Sequence, residues 1–232
     1  MSQKLDPAVS GQLSNPFIEL RGRPHMRILL TGFEPWGSVP ENPTREIVER
    51  IEYRGLAKLV LPVSYKRAAE MVRRAIREIR PDVVLSLGLA PGSPVIRVET
   101  VALNVAHARE PDADGYKPEF EKIDPEGPAA YFFTLPVKEV VNTLKEAGIP
   151  ARPSFHAGTF ICNLVSYVAL REVDLLGLNS VVGFMHLPYS SEIVAKKLEK
   201  DVASLPMATL ERAVQTALDL ASERVLKEGE SK

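Results

Sequence analysis

The sequence predicts an α/β fold: a single domain built as a three-layer α/β/α sandwich around a mainly parallel, twisted sheet. Three observations predict it. Short apolar runs of strand length alternate with amphipathic stretches of helix length, an order that covers both faces of a parallel sheet with helices. The chain has 232 residues, ordinary for one α/β domain. Hydrophobic residues make up 45% and charged residues 25%, enough for a sizeable core beneath a soluble surface.

The expected strands are Met26–Thr31, Lys58–Val63, Val83–Leu87, Ile96–Leu103, Pro153–His156 and Ser180–Leu187. The expected helices are Thr44–Tyr53, Tyr65–Arg80, Val137–Ala147, Phe160–Val173 and Met207–Lys227. The second helix shows the period best, with Ala68, Met71, Val72, Ala75, Ile76 and Ile79 on one face. Its opposite face carries Lys66, Arg67, Arg73, Arg74, Arg77 and Arg80, without the interleaved aromatics of a nucleic-acid platform. That face is expected to be solvated. Gly148 followed by Pro150 stops the third helix. The irregular stretch from Val105 to Pro128 is longer than ordinary connections and is expected to serve function.

Residues 1–25 are polar and unpatterned, and they lack the apolar segment of a signal peptide. They are set apart as a disordered N-terminal extension or tag, leaving residues 26–229 as the domain. Net charge is −1, which gives no reason to expect nucleic acid or an anionic membrane as a partner. No apolar run reaches bilayer-spanning length. A single cysteine, Cys162, excludes an internal disulfide and a multi-cysteine metal site; with no signal peptide, a cytoplasmic location is expected. No cofactor or metal is expected, because the histidines are not clustered and Asp112 and Asp114 lack a calcium-loop pattern.

The stretch LLTGFEPWGSVPENP, Leu29 to Pro43, imitates a phosphate loop through Gly32, Gly37 and Ser38. It has no lysine before the serine, and that ammonium is what reaches the phosphates. Glu34 adds negative charge, while Phe33, Pro35 and Trp36 are bulky and apolar. Such a loop suits the wall of a pocket for something uncharged. A turn whose aromatics only plug the core is the competing reading.

Three other segments carry reactive groups near strand ends, where open α/β sheets bind ligands. HAGTFICNLVSYVAL places Cys162 at the start of a helix, whose positive end favours the thiolate; an inert core cysteine is the alternative. VVGFMHLPYS places His186 at a strand's carboxyl end, well sited as a base for a thiol, although His25, His107 and His156 compete for that role. PVIRVETVALNVAHAR carries Glu99 in a strand pattern that disfavours glutamate. If buried, Glu99 needs a partner, and an imidazole held in the tautomer of a Cys–His pair is the obvious one. Arg109 either stabilises an oxyanion or pairs with a surface acid.

The segments TGFEPWG, NPT, RVETVALNVAHAR, GPAAYF, LPV, AGTFICN and GFMHLPY resemble pyroglutamyl peptidase type I, the pyrrolidone-carboxylate peptidases, from Met26 to roughly Lys227. The resemblance implies a cysteine exopeptidase acting on peptides with an N-terminal pyroglutamate. It places the family's nucleophile on Cys162, its histidine on His186, its glutamate on Glu99 and the arginine near its oxyanion on Arg109. It places pocket positions on Phe33, Trp36, Leu89, Phe160 and Ile161, with backbone groups around Leu89 as candidates for binding the lactam. It also implies a homo-oligomer, a tetramer or dimer.

Two positions depart from the family pattern. Trp36 stands where phenylalanine is usual, and Glu110 stands where isoleucine is usual. Glu110 keeps open a related thiol hydrolase with another N-terminal or lactam specificity, which a substrate panel would separate. A non-catalytic α/β binding protein with a structural cysteine is the reading from another class; it predicts a slow-reacting thiol.

Overall fold

The computed structural model describes residues 26–39, 41–197 and 201–230; the expected extension, with His25, lies outside the described residues. The central sheet has six strands: β1 (Ile28–Phe33), β2 (Leu56–Leu61), β3 (Val83–Leu89), β4 (Ile96–Glu99), β7 (Ala151–Ser154) and β8 (Val181–Leu187). Their order is β2-β1-β3-β8-β4-β7. All neighbouring pairs are parallel except β4 with β8.

Burial follows position in the sheet. Strands β1 and β8 are buried along their whole length, as interior strands covered on both faces must be, and so they read as continuous apolar runs. Strand β2, at one edge, alternates between buried and half-exposed residues. The two faces divide the core. Leu30, Leu85 and Met185 pack with Ile47 of α1 (Pro43–Arg50), Val140 of α3 (Val137–Glu146) and Leu210 of α6 (Met207–Glu230). Their sequence neighbours Leu29, Val84 and Phe184 pack on the other face with Val72 of α2 (Tyr65–Ile79) and Val165 of α4 (Ile161–Leu175). The result is the expected three-layer sandwich.

Helix ends follow local chemistry. The Asn42 side chain caps α1 by accepting the Thr44 N–H at 3.1 Å, with Pro43 at the first helical position, where its missing N–H costs nothing. Ser64 caps α2. Gly148, at φ +74, ends α3 as its sequence position implied. On the basic face of α2, Arg67 pairs with Asp114 and Arg77 with Glu172; most of that face is solvated.

The expected strand Ile96–Leu103 is divided. The Thr100 N–H and hydroxyl both donate to the Ser154 carbonyl at 2.8 Å, fastening the end of β4 to β7. Beyond Thr100 the chain turns away as β5 (Val101–Leu103), which pairs antiparallel with β6 (Ala130–Phe132) in a separate ribbon. That division makes Glu99 the last residue of β4. Four short elements carry no signal in the sequence pattern: β6, β9 (Tyr189–Ser190), α5 (Ser191–Lys197) and β10 (Ser204–Leu205). Among the described residues no helix is long and apolar enough to cross a membrane.

Candidate active site

Strand β8 ends at the centre of the sheet with His186 beside Gly88 of β3 and Arg97 of β4. His186 Nδ1 lies 2.7 Å from Glu99 Oε1. Glu99 is fully buried and His186 is 8% exposed. A glutamate in a strand therefore has the imidazole partner its burial demands. Glu99 Oε2 has no hydrogen-bond partner, so the carboxylate is committed to the histidine through one oxygen.

Cys162 is the second residue of α4 and lies beside His186 over Gly88. No side chain caps the first turn of α4, which leaves its backbone N–H groups free for an anion at the positive end of the helix. Burial alone would lower the pKa of His186. The charge and hydrogen bond of Cys162, then the hydrogen bond and charge of Glu99, outweigh it and push the pKa up to about 9. The raised pKa favours the imidazolium form of His186.

Gly88 is a site residue that the sequence reading missed. A Cβ added there would lie 2.9 Å from Cys162 Sγ, 3.0 Å from His186 Cδ2 and 2.8 Å from Phe184 Cζ. Only glycine lets cysteine and histidine meet over β3. The signal was a glycine inside an apolar strand, which marks close approach of another group. Asn163 was also missed. Fully buried beside the cysteine, its amide accepts the Leu103 N–H at 2.9 Å and donates to the Leu103 and Val105 carbonyls at 2.9 and 3.0 Å. It ties α4 to the strand that comes after Glu99.

Cys162 and His186 open on a cavity of about 570 Å³ lined also by Trp36, Leu89, His107, Arg109, Glu110, Phe160 and the Ala157–Thr159 turn. Trp36 and Phe160 form an aromatic wall, their ring centroids 5.5 Å apart, and Tyr65 meets Phe160 edge-on from behind at 5.6 Å. Arg109 lines the cavity and makes no ion pair with any described residue.

Two expected pocket residues are placed differently. Phe33 and Ile161, at 3% and 1% exposure, pack in the core with Leu29 and Val165 and do not line the cavity. The Phe33 ring belongs to β1, which is buried on both faces, and Ile161 faces the sheet while its neighbour Cys162 faces the opening. His156 is exposed and donates nothing to the site; its Nδ1 accepts the Gly158 N–H at 3.1 Å. Among the described residues no cluster of His, Cys, Asp or Glu could hold a metal ion. A larger cavity of about 860 Å³ lies between Asp82, before β3, and the last turns of α6; it contains neither cysteine nor histidine.

The Pyroglutamyl peptidase family model matches residues 26–224. The pyrrolidone-carboxylate peptidase of Thermococcus kodakarensis is 40% identical over 208 residues, covering 88% of this chain and all of that protein. That of Pyrococcus furiosus is 40% identical over 209 residues, covering 87% and 100%. The solved pyrrolidone carboxyl peptidase from Thermococcus litoralis superposes with a TM-score of 0.82 at 38% identity, covering 88% of this chain and 96% of that one. The chain belongs to the pyroglutamyl peptidase family.

Proposed function

We propose that this chain is a cysteine exopeptidase that hydrolyses the bond after an N-terminal pyroglutamyl residue of peptides. The observation that carries this reading is Glu99 held 2.7 Å behind His186, with Cys162 at the uncapped start of α4 brought beside the ring over Gly88. A thiolate beside an imidazolium is an activated nucleophile with its proton donor already in place.

In the proposed reaction Cys162 Sγ attacks the pyroglutamyl carbonyl carbon. Arg109 and the Cys162 N–H receive the negative oxygen, the role of an oxyanion hole. As the C–N bond breaks, His186 gives its proton to the leaving amine, and a thioester remains. Neutral His186 then takes a proton from water, whose oxygen attacks the thioester; pyroglutamic acid leaves and the thiol is restored. Glu99 fixes the ring so that Nε2 faces the chemistry.

The aromatic wall of Trp36 and Phe160 suits a small, flat, neutral lactam. Apolar contact alone discriminates weakly, by about 1–3 kcal/mol per methylene. Rejection of a proline ring therefore falls to hydrogen bonds to the lactam N–H and C=O, for which backbone groups around Leu89 are the candidates.

Release of a fluorophore from a pyroglutamyl amide, beside a prolyl amide and with and without a thiol-alkylating reagent, tests the reading. Alkylation-sensitive turnover of the pyroglutamyl amide alone is expected. Turnover of neither, with a thiol that alkylates quickly, would mean a live nucleophile facing a different substrate. The same reading carries a homo-oligomer, dimer or tetramer, which sedimentation would test.

A further inference from the structure

Glu110 is a charged residue without a partner in a place where partners matter. It lines the cavity of Cys162 and His186, is exposed, and makes no hydrogen bond or ion pair with any described residue. The backbone that presents it is pinned on both sides. Before it, the His107 N–H donates to the Thr159 carbonyl at 3.0 Å, and the Ala108 N–H to the Pro118 carbonyl at 3.0 Å. After it, the buried Asp112 carboxylate accepts the N–H groups of Tyr65, Asp114 and Tyr116 at 2.8–2.9 Å. A carboxylate on a fixed backbone at a cavity mouth holds its field in one place.

We infer that Glu110 is a specificity-determining residue for the leaving peptide, favouring substrates whose residue directly after the pyroglutamyl group is basic. The inference rests on the function proposed above. A pyroglutamyl terminus has no ammonium group, so nothing on the acyl side of the scissile bond can neutralise a carboxylate. The lactam must be enclosed near Cys162, and the rest of the peptide must run outward to solvent, past the exposed lining residues. Of these, Arg109 is assigned to the carbonyl oxygen. Glu110 is left to meet the first residue of the leaving peptide, and a lysine or arginine side chain there supplies the missing cation. An acidic residue at that position is repelled.

The experiment compares kcat/KM for pyroglutamyl peptides that differ only in the second residue, arginine, glutamine or glutamate, with a neutral pyroglutamyl aminocoumarin alongside. The wild-type protein should prefer arginine over glutamine by about two- to fivefold, the reach of an exposed ion pair, and the ratio should fall as salt is raised. Glu110→Gln should bring the ratio close to one, and Glu110→Lys should turn the preference toward glutamate. Reading ratios within each variant removes any general change in rate. An arginine-to-glutamine ratio unchanged in both variants, or absent from the wild type while the aminocoumarin is hydrolysed, overturns the inference alone. Failure of the wild type to hydrolyse the aminocoumarin overturns the functional reading and the inference with it.

Discussion

Glu99 Oε1 and His186 Nδ1 meet at 2.7 Å across β4 and β8, the antiparallel neighbours in an otherwise parallel sheet. Because β4 runs against β8, its last residue lies below the end of β8 and the carboxylate reaches the ring from the buried side. The glutamate thus sits behind the imidazole, leaving the opposite nitrogen for the cysteine. Glu99→Gln keeps the volume but removes the charge and can reverse the ring's tautomer. It should lower kcat on a pyroglutamyl amide by about a hundred- to ten-thousandfold, as loss of the orienting carboxylate does in related triads. A fall of less than tenfold would remove Glu99 from the mechanism.

The His186 pKa of about 9 depends first on overcoming burial and then on Cys162. Cys162→Ala deletes both contributions of the cysteine and leaves the burial that opposes protonation. The ring-proton resonance of His186 should then titrate well below 9. A midpoint that stays near 9 would mean that Glu99 alone sustains the imidazolium.

The same shift makes stability depend on pH. A folded-state pKa of about 9 stands above the ordinary histidine value near 6.5, so the folded protein binds this proton more tightly than the unfolded chain. The stabilisation is fully present below about pH 6.5 and is lost as pH rises through 9. Denaturant melts between pH 6 and 10 should lose at most about 3 kcal/mol from this group, and His186→Gln should flatten that part of the profile. A wild-type profile flat over this range would contradict the raised pKa.

Much of this site was legible because its groups sit where periodicity changes. Cys162 comes after a small-residue turn at the start of an apolar helical pattern, and His186 ends an apolar run before Pro188. Glu99 stood out as a carboxylate in a strand. The break at Thr100 was not legible, because it depends on hydrogen bonds to Ser154 and Phe133, far along the chain. Strand β6 is only three residues long, exposed at both ends, and too short to show a pattern of its own. Nor could the sequence tell which aromatics of TGFEPWG face the cavity: Phe33 belongs to the buried end of β1, and Trp36 to the turn beyond it.

Gly88 links the sheet to the chemistry by what it lacks. A methyl group there would press on Cys162 Sγ, His186 Cδ2 and Phe184 Cζ at 3.0 Å or less. The side chains that give way are the reacting ones, since the ring of Phe184 is itself fully buried. Gly88→Ala should cost about 1–3 kcal/mol of stability, as overpacking does, and should lower kcat by more than tenfold with a folded spectrum retained. Unchanged kcat would show that the two groups can separate without loss.

Trp36 and Phe33 offer a paired test of the aromatic wall, three residues apart in the chain, Phe33 at the end of β1 and Trp36 in the turn beyond it. Trp36 is half-buried, lines the cavity and stacks obliquely on Phe160. Phe33 is sealed in the core, and its N–H is held by Thr44 Oγ1 at 3.0 Å. Trp36→Ala should therefore raise KM for a pyroglutamyl amide by about tenfold, within the 1–3 kcal/mol of a lost apolar contact, and shift the melting temperature little. Phe33→Ala should instead cost about 3–5 kcal/mol of stability through the cavity it leaves. Steady-state kinetics and thermal melts on the two variants separate these outcomes. If Phe33→Ala raised KM while the protein stayed as stable as wild type, the ring would have to reach the substrate in the bound state, and Phe33 would belong to the wall and not to the core.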